Sequence, residues 1–342
     1  MPMIALLDPS LPSENEIESD NLGDVIIAEA TKKILAELFP AHEIISLPTK
    51  RTLSGKEINT IRSCTHVFLG GTNILNGDLK AYNQWKMNAS FVGIAYPKFD
   101  GVIAMGVGWR IYQEQTTVRS KLFYKRILHR KVYHAVRDQY TYKRITESGI
   151  RNAINTSCPT AWCLNGRRTR RRLPTSGDIV FTLTDYRQSE GQDNKLVRVL
   201  LEHSTGKLVF FPQGSKDVEY IESLKEFHNN RGRIIVMNRK ISEFNNFARD
   251  SRVVYVGTRL HGGIRFLQFG GDALIVCVDN RAMEIHKDIR LPAVARDDLD
   301  GIREWLRGKL DFGEIALPLP QINQWKSQFI SLERPSKRSG CD

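Results

Sequence analysis

A chain of 342 residues is long for a single core and sets the expectation of two domains of about 150 residues each. Apolar residues at 41% and charged residues at 26% are ordinary for a globular protein and exclude disorder, and no run of about 18 apolar residues is present to span a membrane. The formal net charge of +12 is concentrated in residues 109–172, where 16 Lys and Arg stand against 3 Asp and Glu; this implies an anionic neighbour, and no helix-turn-helix, RNP or KH signature accompanies it to indicate nucleic acid.

The N-terminal residues, a short apolar run and then an acidic stretch at 14–20, lack the basic flank and long apolar segment of a secretory signal, so a cytoplasmic protein is expected. Strands are predicted over 4–7, 43–47, 66–69, 91–95, 102–107 and 133–136, from Val, Ile and Phe runs without strict alternation, the pattern of strands buried on both faces of a parallel sheet. A helix over 24–38 follows the first strand and opens on Asn21-Leu22-Gly23-Asp24, where Gly permits a tight turn and free N–H groups can receive an anion. The same residues also read as an ordinary capped strand-to-helix turn. Gly70-Gly71-Thr72-Asn73 and Gly106-Val107-Gly108 end the strands before them, on the side where parallel sheets bind ligands, although each alone also suits a tight turn. Neither is GxGxxG or a P-loop, which argues against a dinucleotide or ATP.

Residues 118–137 carry a basic amphipathic pattern that fits either docking on an anionic membrane or a solvated helix face. Residues 1–165 are therefore expected to form one Rossmann-like domain, and the Gly- and Arg-rich segment 166–177 a linker. In the second domain, 178–312, strands are predicted over 179–183, 208–211, 234–237, 253–256 and 274–278, with a helix over 321–332 inside the C-terminal segment 313–342. Two such doubly wound α/β domains with a C-terminal helix resemble the GT-B arrangement of glycosyltransferases, whose substrate cleft lies between the domains.

The sharpest motif is Gly257-Thr258-Arg259-Leu260-His261-Gly262-Gly263, after the strand at 253–256. An arginine grips a carboxylate or phosphate with a planar fork, and a histidine exchanges protons near neutral pH. Asp279, Arg281 and Glu284 follow the next strand and can contact a sugar or one another; Arg187 ends the first strand of the second domain as a further anion contact. The five cysteines, Cys64, Cys158, Cys163, Cys277 and Cys341, are scattered without zinc spacing and read as free thiols. No acidic motif indicates a metal, and no cofactor is expected.

Taken in order, Asn21-Leu22-Gly23-Asp24, Gly70-Gly71, Gly106-Val107-Gly108, Val136-Arg137-Asp138 with Gly149-Ile150, Pro212-Gln213 and Gly257-Thr258-Arg259-Leu260-His261 resemble the polysaccharide pyruvyl transferase family over residues 22–292. The resemblance implies transfer of pyruvate from phosphoenolpyruvate onto sugar hydroxyls as a ketal. It implies His261 as general acid/base, Arg259, Arg187, Gly262 and Gly263 at the donor, and Asn21, Gly23, Asp24, Gly70, Gly71, Asn73, Gly106, Gly108, Asp279, Arg281 and Glu284 at the acceptor or in secondary contacts. One departure is Cys158-Pro159-Thr160, where many family members carry an Asp-Pro pair. The expected partners are phosphoenolpyruvate and a saccharide acceptor, lipid-linked in one version, with the basic surface resting at the inner face of a membrane. The competing readings are a GT-B glycosyltransferase using a nucleotide sugar and a non-enzymatic polyanion- or membrane-binding protein.

Overall fold

The computed structural model describes residues 1–13, 19–82, 84–86, 100–169, 177–250 and 252–330. Two parallel six-stranded sheets organise the chain. The first contains β1 (Met3–Asp8), β2 (Glu43–Pro48), β3 (His66–Gly70), β4 (Ile103–Val107), β5 (His134–Val136) and β6 (Ala153–Asn155), in the order β2-β1-β3-β4-β5-β6. The second contains β7 (Ile179–Thr182), β8 (Leu208–Phe210), β9 (Ile234–Val236), β10 (Val254–Gly257), β11 (Asp272–Cys277) and β12 (Ala293–Ala295), in the order β12-β11-β10-β7-β8-β9. Strands such as Ile4 to Leu7 and Leu274 to Val276 are buried on both faces, which is why their sequences run apolar without alternation.

Helices cover both sheets, and local signals start them. In α1 (Leu22–Leu38) the Gly23 N–H donates to the Asn21 side chain at the N-cap; α2 (Gly55–Ser63) opens on a capping box of Ser54 and Glu57. The basic amphipathic pattern noted over 118–137 runs past the helix that carries its first half. α3 (Val118–Ile127) ends where Leu128 turns extended, and the chain then enters the core as β5. Its apolar residues split accordingly: Tyr124 and Ile127 are buried, whereas Val118 and Leu122 are 73% and 63% exposed. α4 (Gln139–Glu147) follows β5. β6 and β12, each three residues at a sheet edge, had no sequence signal, and the strand predicted over 91–95 lies outside the described residues.

Around the second sheet run α5 (Glu190–His203), α6 (Asp217–Ser223), α7 (Lys225–Asn229), α8 (Ile241–Arg249), α9 (Leu260–Gln268), α10 (Asn280–Ile289) and α11 (Leu299–Leu306). Of the basic segment, residues 166–169 are described: Thr169 N–H donates to Gly313 O and Ile315 N–H to Arg167 O, pairing the segment with the stretch before the last helix. That helix, α12 (Leu319–Ile330), returns to the first sheet, where Trp325 and Phe329 pack with Ile4, Phe68 and Met105. The two halves also share a core, since Leu22, Cys158 and Ala161 cluster with Tyr255, Leu260 and Ile264. Among the described residues, no helix is long and apolar enough to cross a membrane.

Candidate active site

In each sheet the winding reverses once, between β1 and β3 and between β7 and β10, and loops leaving such switch points separate to leave a crevice. The two crevices face each other. The Leu22 N–H donates to Gln213 O at 3.0 Å and the Ser215 N–H to Asp20 O at 3.0 Å, tying the loop before α1 to the loop after β8. Between them lies a cavity of about 390 Å³ lined almost wholly by polar side chains. Asn21, Asp24, Lys50, Asn73, Tyr82 and Arg110 line it from the first half, and Asp185, Tyr186, Arg187, Arg259, Asp279 and Arg281 from the second.

Most of its charges are internally paired. Arg259, 3% exposed, donates from Nε to Asp217 Oδ2 at 3.1 Å and from Nη2 to Asp217 Oδ1 and to Asp185 Oδ1, the last at 2.8 Å. Its Nη1 makes no hydrogen bond among the described residues. Arg281 grips Asp279 through Nε and Nη2 and also donates to the Tyr186 hydroxyl. Burial alone would raise the Asp279 carboxyl, but the Arg281 guanidinium overrides it and holds the carboxyl below its usual range. Lys50 lies between Asp20 and Asp24 at 2.8 and 2.9 Å. Arg187 differs: exposed, its guanidinium has no hydrogen bond among the described residues, and it faces both this cavity and a neighbouring groove of about 480 Å³ lined by Tyr112, Asn280 and Met283. Arg110 is stacked on Tyr82, 3.1 Å from the ring centroid.

Two buried groups stand behind the cavity wall. Arg137, 2% exposed, donates from Nε to Asp138 and from Nη1 to Asn73, and its Nη2 is buried without a partner among the described residues. His261, in the first turn of α9, is 6% exposed, and its Nε2 lies 3.7 Å from Cys158 Sγ. Burial, reinforced by the positive charges of Arg281 and Arg137 and opposed by Asp279, lowers its pKa to about 3, so the resting ring is neutral.

The structure thus brings Asn21, Asp24, Asn73, Arg187, Arg259, Asp279 and Arg281 to one cavity, with Gly23 and His261 directly behind it. The remaining residues singled out in the sequence sit elsewhere. Gly262 and Gly263 face the sheet, where an added Cβ would lie 2.8 Å from the Tyr255 hydroxyl and 2.5 Å from Ile275, so they let α9 approach β10 and β11. Gly70 and Gly71 accommodate Leu6 and Ile27, Gly106 accommodates Pro159, and Gly108 leaves room for the Arg137 guanidinium. Glu284 points away from the cavity, accepting from the Tyr112 hydroxyl and from Lys287. Sequence reasoning missed Lys50, Tyr82, Arg110, Asp185 and Asp217 as site residues; Lys50 and Arg110 follow strand ends, which was the available signal. Among the described residues, no group of three or more His, Cys, Asp or Glu is placed to hold a metal ion.

A family model described as polysaccharide pyruvyl transferase matches residues 21–276. No curated protein matches the chain significantly. Solved structures with a similar fold include the lipopolysaccharide outer core galactosyltransferase WaaB (10% identity, 96% of this chain and 99% of that chain covered, TM-score 0.50). Others are the UDP-GlcNAc 2-epimerase of Methanocaldococcus jannaschii (9%, 96% and 98%, 0.49) and S. aureus MnaA (12%, 96% and 94%, 0.48). At these identities the likeness concerns the fold alone, and that fold is the GT-B arrangement of glycosyltransferases.

Proposed function

Because the chain belongs to the polysaccharide pyruvyl transferase family, and is therefore a polysaccharide-modifying transferase, we propose that it moves pyruvate from phosphoenolpyruvate onto two hydroxyls of a saccharide acceptor as a ketal. The observation that carries this reading is the small, guanidinium-rich cavity between the two switch points, with a neutral histidine behind it. At about 390 Å³ it lies near the lower end of the ligand-pocket range of about 300–1,000 Å³, and its cations suit a compact multiply charged donor.

Arg187 and the Nη1 of Arg259 bind the donor's phosphate and carboxylate, with the buried charge of Arg137 behind them. One acceptor hydroxyl bonds to C2 of the enol and gives up its proton, while C3 takes a proton, so that the hydroxyl's proton is in net transferred to C3, which becomes the methyl group. The second hydroxyl displaces phosphate at C2, closing the ketal, and its proton leaves with the phosphate. His261 acts as the general acid/base, a role that typically contributes about 10²–10⁴-fold in rate. Fixed arginine dipoles and charges stabilise the leaving phosphate without reorganising. The saccharide enters from the groove beside Tyr112 and Met283, which meets the donor cavity at Arg187 and Asp279.

The test is thermal unfolding with and without millimolar phosphoenolpyruvate. Binding to the folded state raises the midpoint by mass action. The rise is expected in the wild type, lost in Arg187→Ala, and kept in His261→Ala, whose turnover is lost. No response to phosphoenolpyruvate, with a response to a nucleoside diphosphate, would overturn pyruvyl transfer in favour of glycosyl transfer from a nucleotide sugar.

A lipid-linked acceptor would account for α3. Val118 and Leu122 project from it beside Arg119 and Lys125, giving an apolar pair in a basic field suited to an anionic bilayer at the inner face of a membrane. Co-sedimentation with anionic phospholipid vesicles at low salt is expected and should be lost in Leu122→Glu. Indifference of the wild type to such vesicles would remove this part of the proposal.

A further inference from the structure

One buried group beside the histidine has no part in the chemistry above. Cys158 Sγ lies 3.7 Å from His261 Nε2 and 3.0 Å from Thr160 Oγ1, and all three side chains are buried. Counting donors and acceptors orders the hydrogens. The Thr160 hydroxyl has no other partner among the described residues, so it donates to the sulfur. The thiol hydrogen is then directed at the imidazole Nε2, the strongest acceptor in reach. Nε2 therefore carries no hydrogen, and the hydrogen of the neutral ring sits on Nδ1. The reverse order strands a buried hydroxyl hydrogen, which is the costlier arrangement. Nδ1 has no partner among the described residues and faces the start of α1: a Cβ on Gly23 would lie 3.4 Å from it, beside the cavity-lining Asn21.

We propose that Cys158 is a positioning residue that fixes His261 as a neutral imidazole with its hydrogen on Nδ1, directed at the cleft. At rest the ring is then neutral and presents its Nδ1–H toward the cleft, and the proton exchange assigned to His261 above starts from that state and not from an imidazolium. The charged groups around the ring agree with this. Arg281, from the start of α10, and Arg137, from the end of β5, both oppose a second positive charge on it. Asp279 acts the other way but is already committed to Arg281. No carboxylate makes a hydrogen bond to the ring among the described residues; the contact comes from the thiol. The role in catalysis rests on the reading of His261 above, whereas the state of the ring is measurable without it.

The experiment is long-range proton–nitrogen NMR on the full chain labelled with 15N-histidine, with no substrate added and His261→Asn to assign the ring. In the wild type, one protonated nitrogen, Nδ1, is expected from pH 5 to pH 8. Cys158→Ser keeps a hydroxyl donor and is expected to keep that pattern. Cys158→Ala removes the donor and should move hydrogen onto Nε2, and Cys158→Asp should leave both nitrogens protonated at pH 7. An Nε2–H tautomer or an imidazolium at pH 6 in the wild type overturns the proposal, as does a wild-type pattern in Cys158→Ala. If the alanine variant does not fold, the contrast of serine with aspartate decides: a singly protonated ring at pH 7 in Cys158→Asp overturns it. None of these outcomes depends on whether phosphoenolpyruvate is the donor, so a failure here is distinct from a failure of the proposed reaction.

Discussion

Arg259 and Arg187 carry the same guanidinium to the same cavity, and removing them should have different consequences. Arg259 is buried against Asp217, itself 0% exposed, and breaking a buried pair by deleting one partner costs about 3–5 kcal/mol. Asp217→Ala is thus expected to lower the urea midpoint strongly, although Asp217 does not line the cavity. Arg187 is exposed and its guanidinium makes no hydrogen bond among the described residues, so Arg187→Ala should change stability by less than about 0.5 kcal/mol while removing the donor's effect on melting. The buried histidines set a second expectation at this scale. Burial lowers His134 to about 4 and His261 to about 3, against 6.5 for the ordinary side chain. The folded chain refuses protons that the unfolded chain accepts, so their contribution is fully present above pH 6.5 and is lost as pH falls from there toward 4 and then 3. Each ring should remove up to about 1.4 kcal/mol per pH unit within its window. Urea unfolding between pH 7 and pH 5, above most carboxylate titration, should show this slope, and His134→Asn should flatten it.

Elements decide where these residues meet, and the fourth strand gives the clearest case. Its register against β5 shifts between Met105 and Val107, and Gly106 sits there at φ +72. A Cβ on Gly106 would lie 2.0 Å from Pro159 Cδ, so the bulge lets the Cys158–Thr160 turn lie against the strand and present its thiol to His261. Gly106→Ala combines left-handed strain with overlap and should destabilise by about 3 kcal/mol in urea unfolding, with the His261 nitrogen pattern perturbed too. At this scale the sequence was readable wherever a strand was buried on both faces, since a Val–Ile run identifies itself. It was silent for β6 and β12, which are short edge strands paired by a neighbour and not by their own pattern. Arg259 and Asp279, just after β10 and β11, and Arg187, shortly after β7, were legible as site candidates from that position, and Asn21 from its place at the start of α1. Lys50 and Arg110 share such a position but were passed over, and Asp217 was not legible because nothing local says that its carboxylate in α6 meets Arg259 from another element. Gly262 and Gly263 show the converse: adjacent to the motif, they are turned into the core by the phase of α9.

Across the whole molecule, the two sheets are joined by more than the segment between them. The Asp20–Leu22 stretch hydrogen bonds to the loop after β8, α1 packs on α9, and α12 crosses back to the first sheet. Trp325, 0% exposed, has ring contacts with Phe68, Trp162 and Phe329. Trp325→Ala is expected to cost about 3–5 kcal/mol, and tryptophan fluorescence during unfolding should report the loss from the first half, although the substitution lies after the second. The same helix also fixes an order of events. While the chain is being made, β1, β3 and β4 leave the ribosome some two hundred residues or more before α12, and domains otherwise tend to complete in N-to-C order at about 5–20 residues per second. For that interval, on the order of ten seconds or longer, the face formed by Ile4, Phe68 and Met105 has Ile34, Leu35 and Phe39 against it but lacks Trp325 and Phe329, and the first half completes its core only after the second has been synthesised.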